Sequence, residues 1–199
     1  MKKTLLTLAL VAVTAATSFG QGKILFGNDS LHLYTLQGVG GDPSGPIPVS
    51  PLPSGLSLVA VLYGGVSGGS LALQTAITLT GADWLTDGRQ ANKNVLLTGV
   101  TGGSAQGFLI VLTDSGAVRP NTVPGSGPIT AFVGATYFGS SGYFTAVPGT
   151  SLSYPNIATA ASQSTWAAAP INAAPIPEPT SMVLAGLGAA SLLLFRRRK

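Results

Sequence analysis

The chain has no cysteine among its 199 residues, a single histidine, and charged side chains at only 8% of positions. Without cysteine, disulfides, thiolate metal sites and thiol nucleophiles are excluded together. One histidine, His32, excludes a His-clustered metal site and forces any Ser-His-Asp triad to use it. Asp29, Ser30 and His32 lie within four residues. On a short strand, however, Ser30 and His32 share a face without an Asp orienter at the required distance, so His32 is expected at the surface or rim. Only six carboxylates exist, Glu178 among them near the end, and no acid pair for glycoside hydrolysis can be picked out. The stretch "GVTGGSAQG" has glycines but lacks the Lys and following helix of a phosphate loop. No catalytic residue, cofactor or metal ligand set emerges, and the chain is expected not to be an enzyme.

The formal charge of +4 suggests an anionic partner until the charges are located. Lys2, Lys3, Arg196, Arg197, Arg198 and Lys199 hold six of the ten cations, so four face six carboxylates between the termini, a balance of −2. That middle has no basic stripe and no Arg run interleaved with aromatics, which excludes nucleic-acid binding.

What is present at the two ends concerns transport. Residues 1–20 join a short cationic start to an apolar run from Leu5 to Ala16 and small residues Ser18 and Gly20. This is the layout of a secretory signal peptide read by the Sec export machinery. At the other end, Pro177-Glu178-Pro179 precedes an uncharged stretch from Ser181 to Phe195 and the basic cluster Arg196-Arg197-Arg198-Lys199. Two prolines fix φ around one carboxylate and hold an extended segment that a processing enzyme can grip. A helix over about 180–195, rising ~1.5 Å per residue, spans roughly 24 Å, short of a ~30 Å hydrocarbon core, so snorkelling Arg side chains must make up the difference. Moving each cation across costs ~2.5–3.5 kcal/mol, which makes Arg196 to Lys199 a stop-transfer lock with the preceding chain outside the cytoplasm.

Pro177 to Lys199, in this order and spacing, resembles the PEP-CTERM sorting signal. The resemblance implies recognition of Pro177, Glu178 and Pro179 by an exosortase, a membrane-embedded cysteine protease-like enzyme of exopolysaccharide-producing Gram-negative bacteria. It further implies removal of the tail, then release or attachment at the cell surface, with glycans on the Ser/Thr-rich part.

Between the ends, short apolar or alternating runs are separated by Gly, Pro, Ser and Asn. Strands are expected at 23–28, 31–36, 56–63, 70–80, 94–98, 107–113, 130–138 and 143–147. Eight short strands with turn chemistry between them predict an all-β fold, a single β-sandwich of jelly-roll type over residues 21–153. In the third strand both alternating faces are apolar, which predicts a central position covered on both sides. Residues 41–53 read as a Pro-stiffened loop. Residues 154–176, rich in Ala, Pro and Ser, read as a linker before the sorting signal of 177–199, with a weak helix over 157–169.

One polar cluster stands out, "GADWLTDGRQANKN". Asp83, Asp87, Asn92 and Asn94 offer oxygens, but their spacing fits no calcium loop, and such residues are the ordinary material of turns. Trp84 with Arg89 has the makings of a stacking platform for a sugar ring, against the simpler role of anchoring its loop. Tyr137, Phe138, Tyr143 and Phe144 of "YFGSSGYF" are expected to divide between core and surface, a strand, Gly turn and returning strand of a hairpin putting alternate aromatics inward. Two functions follow. One is an exported, exosortase-processed structural or adhesive protein of the cell surface or polysaccharide matrix, anchored in the inner membrane before processing. The other is a secreted carbohydrate-binding module or enzyme using Asp83, Trp84, Asp87 and Arg89.

Overall fold

Runs of Val, Ile, Leu and Phe broken by Gly and Pro favour short strands over helices, because branched and aromatic side chains fit a pleated, half-buried surface. The computed structural model describes residues 20–37, 45–46, 57–80, 83–86, 88–150, 152–176 and 187, with the backbone alone at 45–46 and 84–86. Apart from Gly20 and Leu187, the expected signal peptide and the 177–199 tail lie outside the described residues. Twelve strands occur among those described: β1 (Gln21–Phe26), β2 (Tyr34–Leu36), β3 (Gly45–Pro46), β4 (Leu58–Gly65), β5 (Leu71–Thr78), β6 (Trp84–Thr86), β7 (Arg89–Gln90), β8 (Lys93–Thr101), β9 (Gln106–Asp114), β10 (Thr122–Val123), β11 (Tyr137–Ala146) and β12 (Ile171–Pro175).

The fold is all-β. Eight strands form one sheet in the order β10-β5-β4-β9-β11-β12-β2-β3, antiparallel except where β12 runs parallel to β2. β1 and β8 form a separate antiparallel ribbon, and β6 and β7 a small hairpin. One broad sheet with a ribbon over it thus stands where two matched sheets of a jelly roll were expected.

Every residue of β4 and β9 is buried, as two apolar faces require. Ala60 and Leu62 of β4, with Phe108, Ile110 and Leu112 of β9, meet Ile24, Phe26, Val95 and Leu97 of the ribbon in one core. Their alternate neighbours Val59, Val61, Tyr63, Leu109 and Val111 face the opposite way, against Ala117, Val123 and Phe132. The period of two along each strand therefore divides one sheet between two cores.

Two expectations are corrected. The "GSSG" segment does not turn back as a hairpin. Residues 137–146 form one strand, β11, whose pairing with β9 slips between Ser140 and Tyr143. Gly142, at φ 70°, takes the positive angle that this bulge needs. Ser141 Oγ accepts the Ile110 N–H at 2.9 Å and so fills the interrupted ladder. The aromatics divide as a single strand dictates: Tyr137 and Phe144 to one core, Phe138 and Tyr143 to the other.

Nor do residues 154–176 behave as a linker. Trp166 is buried against Phe144, with ring centroids 5.3 Å apart and planes at 17°. Ile171 and Ala173 of β12 are fully buried. On the β11 side, a Cβ at Gly139 would collide with the Asn172 carbonyl, so only glycine lets β12 lie that close. In place of the expected weak helix there is a single 3₁₀ turn at Ala160–Ser162. Among the described residues no helix is long and apolar enough to cross a membrane; the expected span at 180–195 lies outside them apart from Leu187.

Candidate functional site

The loop singled out for ligand binding is built around Asp83. Its Oδ2 accepts from Thr80 Oγ1 at 2.6 Å and from the Thr80 N–H at 3.1 Å, while Oδ1 meets Lys93 Nζ at 2.8 Å. Lys93 and the Thr80 hydroxyl hold the Asp83 carboxyl down at about 2. The backbone closes the same turn: Asp83 N–H donates to Thr80 O and the Ala91 N–H to Asp83 O. Both carboxylate oxygens are therefore engaged in fastening the loop, and an incoming cation or sugar hydroxyl would compete with Lys93 and Thr80.

The far side of this hairpin is pinned by Asn28. Its Nδ2 donates to the carbonyls of His32 and Gly88, both at 2.7 Å, and its Oδ1 accepts the Gln90 N–H at 2.6 Å. Asn28 is buried, and no sequence cue distinguished it from an ordinary turn asparagine. Arg89 is half-buried, and its Nε has no hydrogen-bond partner among the described residues. The side chain of Trp84 and all of Asp87 lie outside the described residues. Of the four residues proposed together, the structure thus places Asp83 and Arg89, on opposite arms of the β6–β7 hairpin. Asn92 Oδ1 accepts from Asn156 Nδ2 at 3.0 Å, tying the following turn to the 154–157 segment.

His32 differs from expectation. It is buried, and its Nδ1 lies 2.6 Å from Asp29 Oδ1. The orienting carboxylate exists because Asp29 to His32 form a turn, the His32 N–H donating to Asp29 O, so residues three apart meet as they would not on a strand. Burial opposes ionisation of Asp29, but the His32 ring and the Leu31 N–H outweigh it and lower the carboxyl below its ordinary value. The ring's other nitrogen faces the Trp166 carbonyl at 3.3 Å, and the imidazole lies on the indole with centroids 4.2 Å apart. A carbonyl occupies the place where a nucleophilic hydroxyl would stand in a triad. The arrangement fastens the 154–176 segment to the start of the domain.

A hollow of about 340 Å³ opens on the opposite face, lined by residues of 118–133 including Val118, Pro120, Pro124, Ile129 and Phe132. Val and Pro in a Gly-punctuated stretch gave no sign of it. Beside it Tyr63 donates its hydroxyl to Pro120 O at 3.0 Å. Burial pushes that phenol up to about 12 against the opposing charge of Arg119. Among the described residues no group of three or more His, Asp or Glu is placed to hold a metal ion.

The C-terminal end of the fold leads directly to the sorting residues. Pro175 closes β12 opposite Tyr137, and the Ile176 N–H donates to Thr136 O at 2.9 Å. Pro177, Glu178, Pro179 and the cluster Arg196 to Lys199 lie outside the described residues. Residues 175–199 match the family model of the PEP-CTERM protein-sorting motif. The chain carries a PEP-CTERM sorting signal. The match starts on the last residue of β12, so the motif abuts the sheet with no separate stalk among the described residues. A PEP-CTERM motif marks a protein for export and for exosortase processing of a membrane-anchored precursor on the way to the cell surface. No curated protein and no solved structure matches the chain.

Proposed function

We propose that this is a non-catalytic structural or adhesive protein of the bacterial surface or polysaccharide matrix. It is exported through the Sec machinery by a cleaved signal peptide over 1–20. It is then held in the inner membrane by a helix over 180–195 and the Arg196 to Lys199 lock, with its domain in the periplasm, until exosortase removes the tail. The observation that carries the reading is the PEP-CTERM match at 175–199, set at the end of a folded all-β unit. The non-catalytic part is supported by the two polar clusters: Asp83 is spent on Lys93 and Thr80, and His32 on Asp29 and Trp166. Exopolysaccharide is the proposed surrounding partner.

Glu178→Ala tests the sorting step in the native host. The variant is expected to accumulate as a full-mass precursor in the inner-membrane fraction while the unaltered chain appears shortened at the surface or in the medium. Equal shortening and equal surface delivery of both chains would refute recognition through this triplet.

A further inference from the structure

The ends of the large sheet are guarded. β10 has two residues bracketed by Pro120 and Pro124, and β3 is Gly45–Pro46. Proline has no N–H to offer an incoming strand, and short edge strands give little to pair with. β10, however, covers only the start of β5: it pairs at Leu71 and Ala72, and the Leu73 N–H donates to Asn121 O. Gln74 spans the next gap with its side chain, donating to Thr98 O at 3.1 Å and accepting the Thr98 N–H at 2.7 Å on β8. Beyond Gln74 the edge of β5 is open.

The direction of the open groups follows from one hydrogen bond. The Leu79 N–H donates to Leu58 O on β4. Alternation along an antiparallel strand then turns the N–H and C=O of Thr78 and Ala76 away from β4. Both residues are exposed, and neither backbone N–H has a hydrogen-bond partner among the described residues. The stretch Thr75–Thr78 holds no charge and no proline, so it lacks the usual devices against edge pairing.

We propose that this edge is a self-association surface, on which β5 of a second copy of the chain pairs antiparallel about a two-fold axis through Ile77. The symmetry fixes the register. Opposed residues must both present outward groups, so Ala76 faces Thr78 of the second copy and Thr78 faces its Ala76. Each pair exchanges two hydrogen bonds, and all four outward groups on each copy are satisfied at once. Ile77 meets its counterpart in the close, non-hydrogen-bonded pair, with Cβ atoms ~4.5–5.5 Å apart, on the face where Ile77 packs against the ribbon-side core. A second copy suits the site because a neutral segment doubled on itself brings no like charges together. The inference goes beyond the sorting reading and stands or falls independently of it.

The absence of cysteine makes the test direct. A non-hydrogen-bonded pair has Cα atoms ~4.5 Å apart, within disulfide range. The full chain carrying Ile77→Cys, purified in detergent and mildly oxidised, is expected to run mostly at twice its mass on a non-reducing gel. Val118→Cys, on an exposed residue outside β5, is expected to stay single. No dimer, cross-linking no greater than at Val118→Cys, or capture of a different protein would each overturn the proposal. A second measurement does not depend on tolerance of Ile77→Cys. The unaltered chain is expected to sediment as a dimer and Thr78→Lys, a surface change, as a monomer, and a monomeric unaltered chain overturns the proposal equally.

Discussion

Replacing Trp166 with alanine removes the side chain that most clearly separates a folded 154–176 segment from a stalk. The indole is 6% exposed and stands between Phe144 and His32, at centroid distances of 5.3 and 4.2 Å. An indole buries roughly 200 Å², worth up to ~5 kcal/mol at ~25 cal/mol per Å². Cavity-forming aromatic-to-alanine changes in cores cost ~3–5 kcal/mol, the same range by a different route. In a folded unit of ~150 residues each kcal/mol moves the midpoint by ~2–4 °C, so the loss is expected to be roughly 6–20 °C. The assay is thermal unfolding of the full chain in detergent, followed by circular dichroism in the strand region. Leu152→Ala, at a residue 93% exposed, serves as the control and is expected to shift the curve negligibly. A stalk residue would cost within ~0.5 kcal/mol, as surface changes do; a Trp166→Ala curve that overlays the Leu152→Ala curve refutes the packing argument.

Asp83 has its carboxyl depressed to about 2 from 3.8 by Lys93 and Thr80, so its contribution is present above the unfolded value and is lost as pH falls through about 2. Asp83→Asn is expected to be less stable than the parent at pH 7, by ~1 kcal/mol or less for a half-exposed lysine partner. The gap should close on acidification from about 4 towards 2 in parallel denaturant titrations. Asn28→Ala leaves the His32 carbonyl and the Gln90 N–H without their Asn28 partner, while the Gly88 carbonyl keeps the Tyr34 N–H. At ~1–3 kcal/mol per buried orphaned group it is expected to lower stability by at least ~2 kcal/mol and to speed amide exchange at Gln90 above all, which hydrogen exchange measures.

What was legible in the sequence was what local chemistry decides. Leu58 to Tyr63 is apolar on both alternating faces, and β4 is buried on both. The tail could be read because its order of proline clamp, apolar run and guanidinium cluster is written in adjacent residues. Three features depended on distant partners. "GSSG" has turn composition, but β9 was waiting across from it, and Ser141 with Gly142 turned a reversal into a bulge. Ile171 to Pro175 looks like a spacer until Gly139 leaves room for it beside β11. Asp29 reaches His32 because the chain turns there, a geometry that the strand assumption forbade. Within the candidate site, Asp83 was recognisable as a polar anchor, but its commitment to Lys93, ten residues on, was not. Asn28 carried no mark at all.

The position of β12 has a consequence for the order of assembly. β2 and β3 join the large sheet only through β12, across a separation of 137 residues between Tyr34 and Ile171. An export channel delivers the N-terminal strands first, and for most of translocation they have no place in the sheet to occupy. The segment that admits them is the one immediately ahead of the sorting tail. Closure of this end of the sheet therefore waits for the last strand before the sorting tail, although β4, β5, β9 and β11 can pair without it.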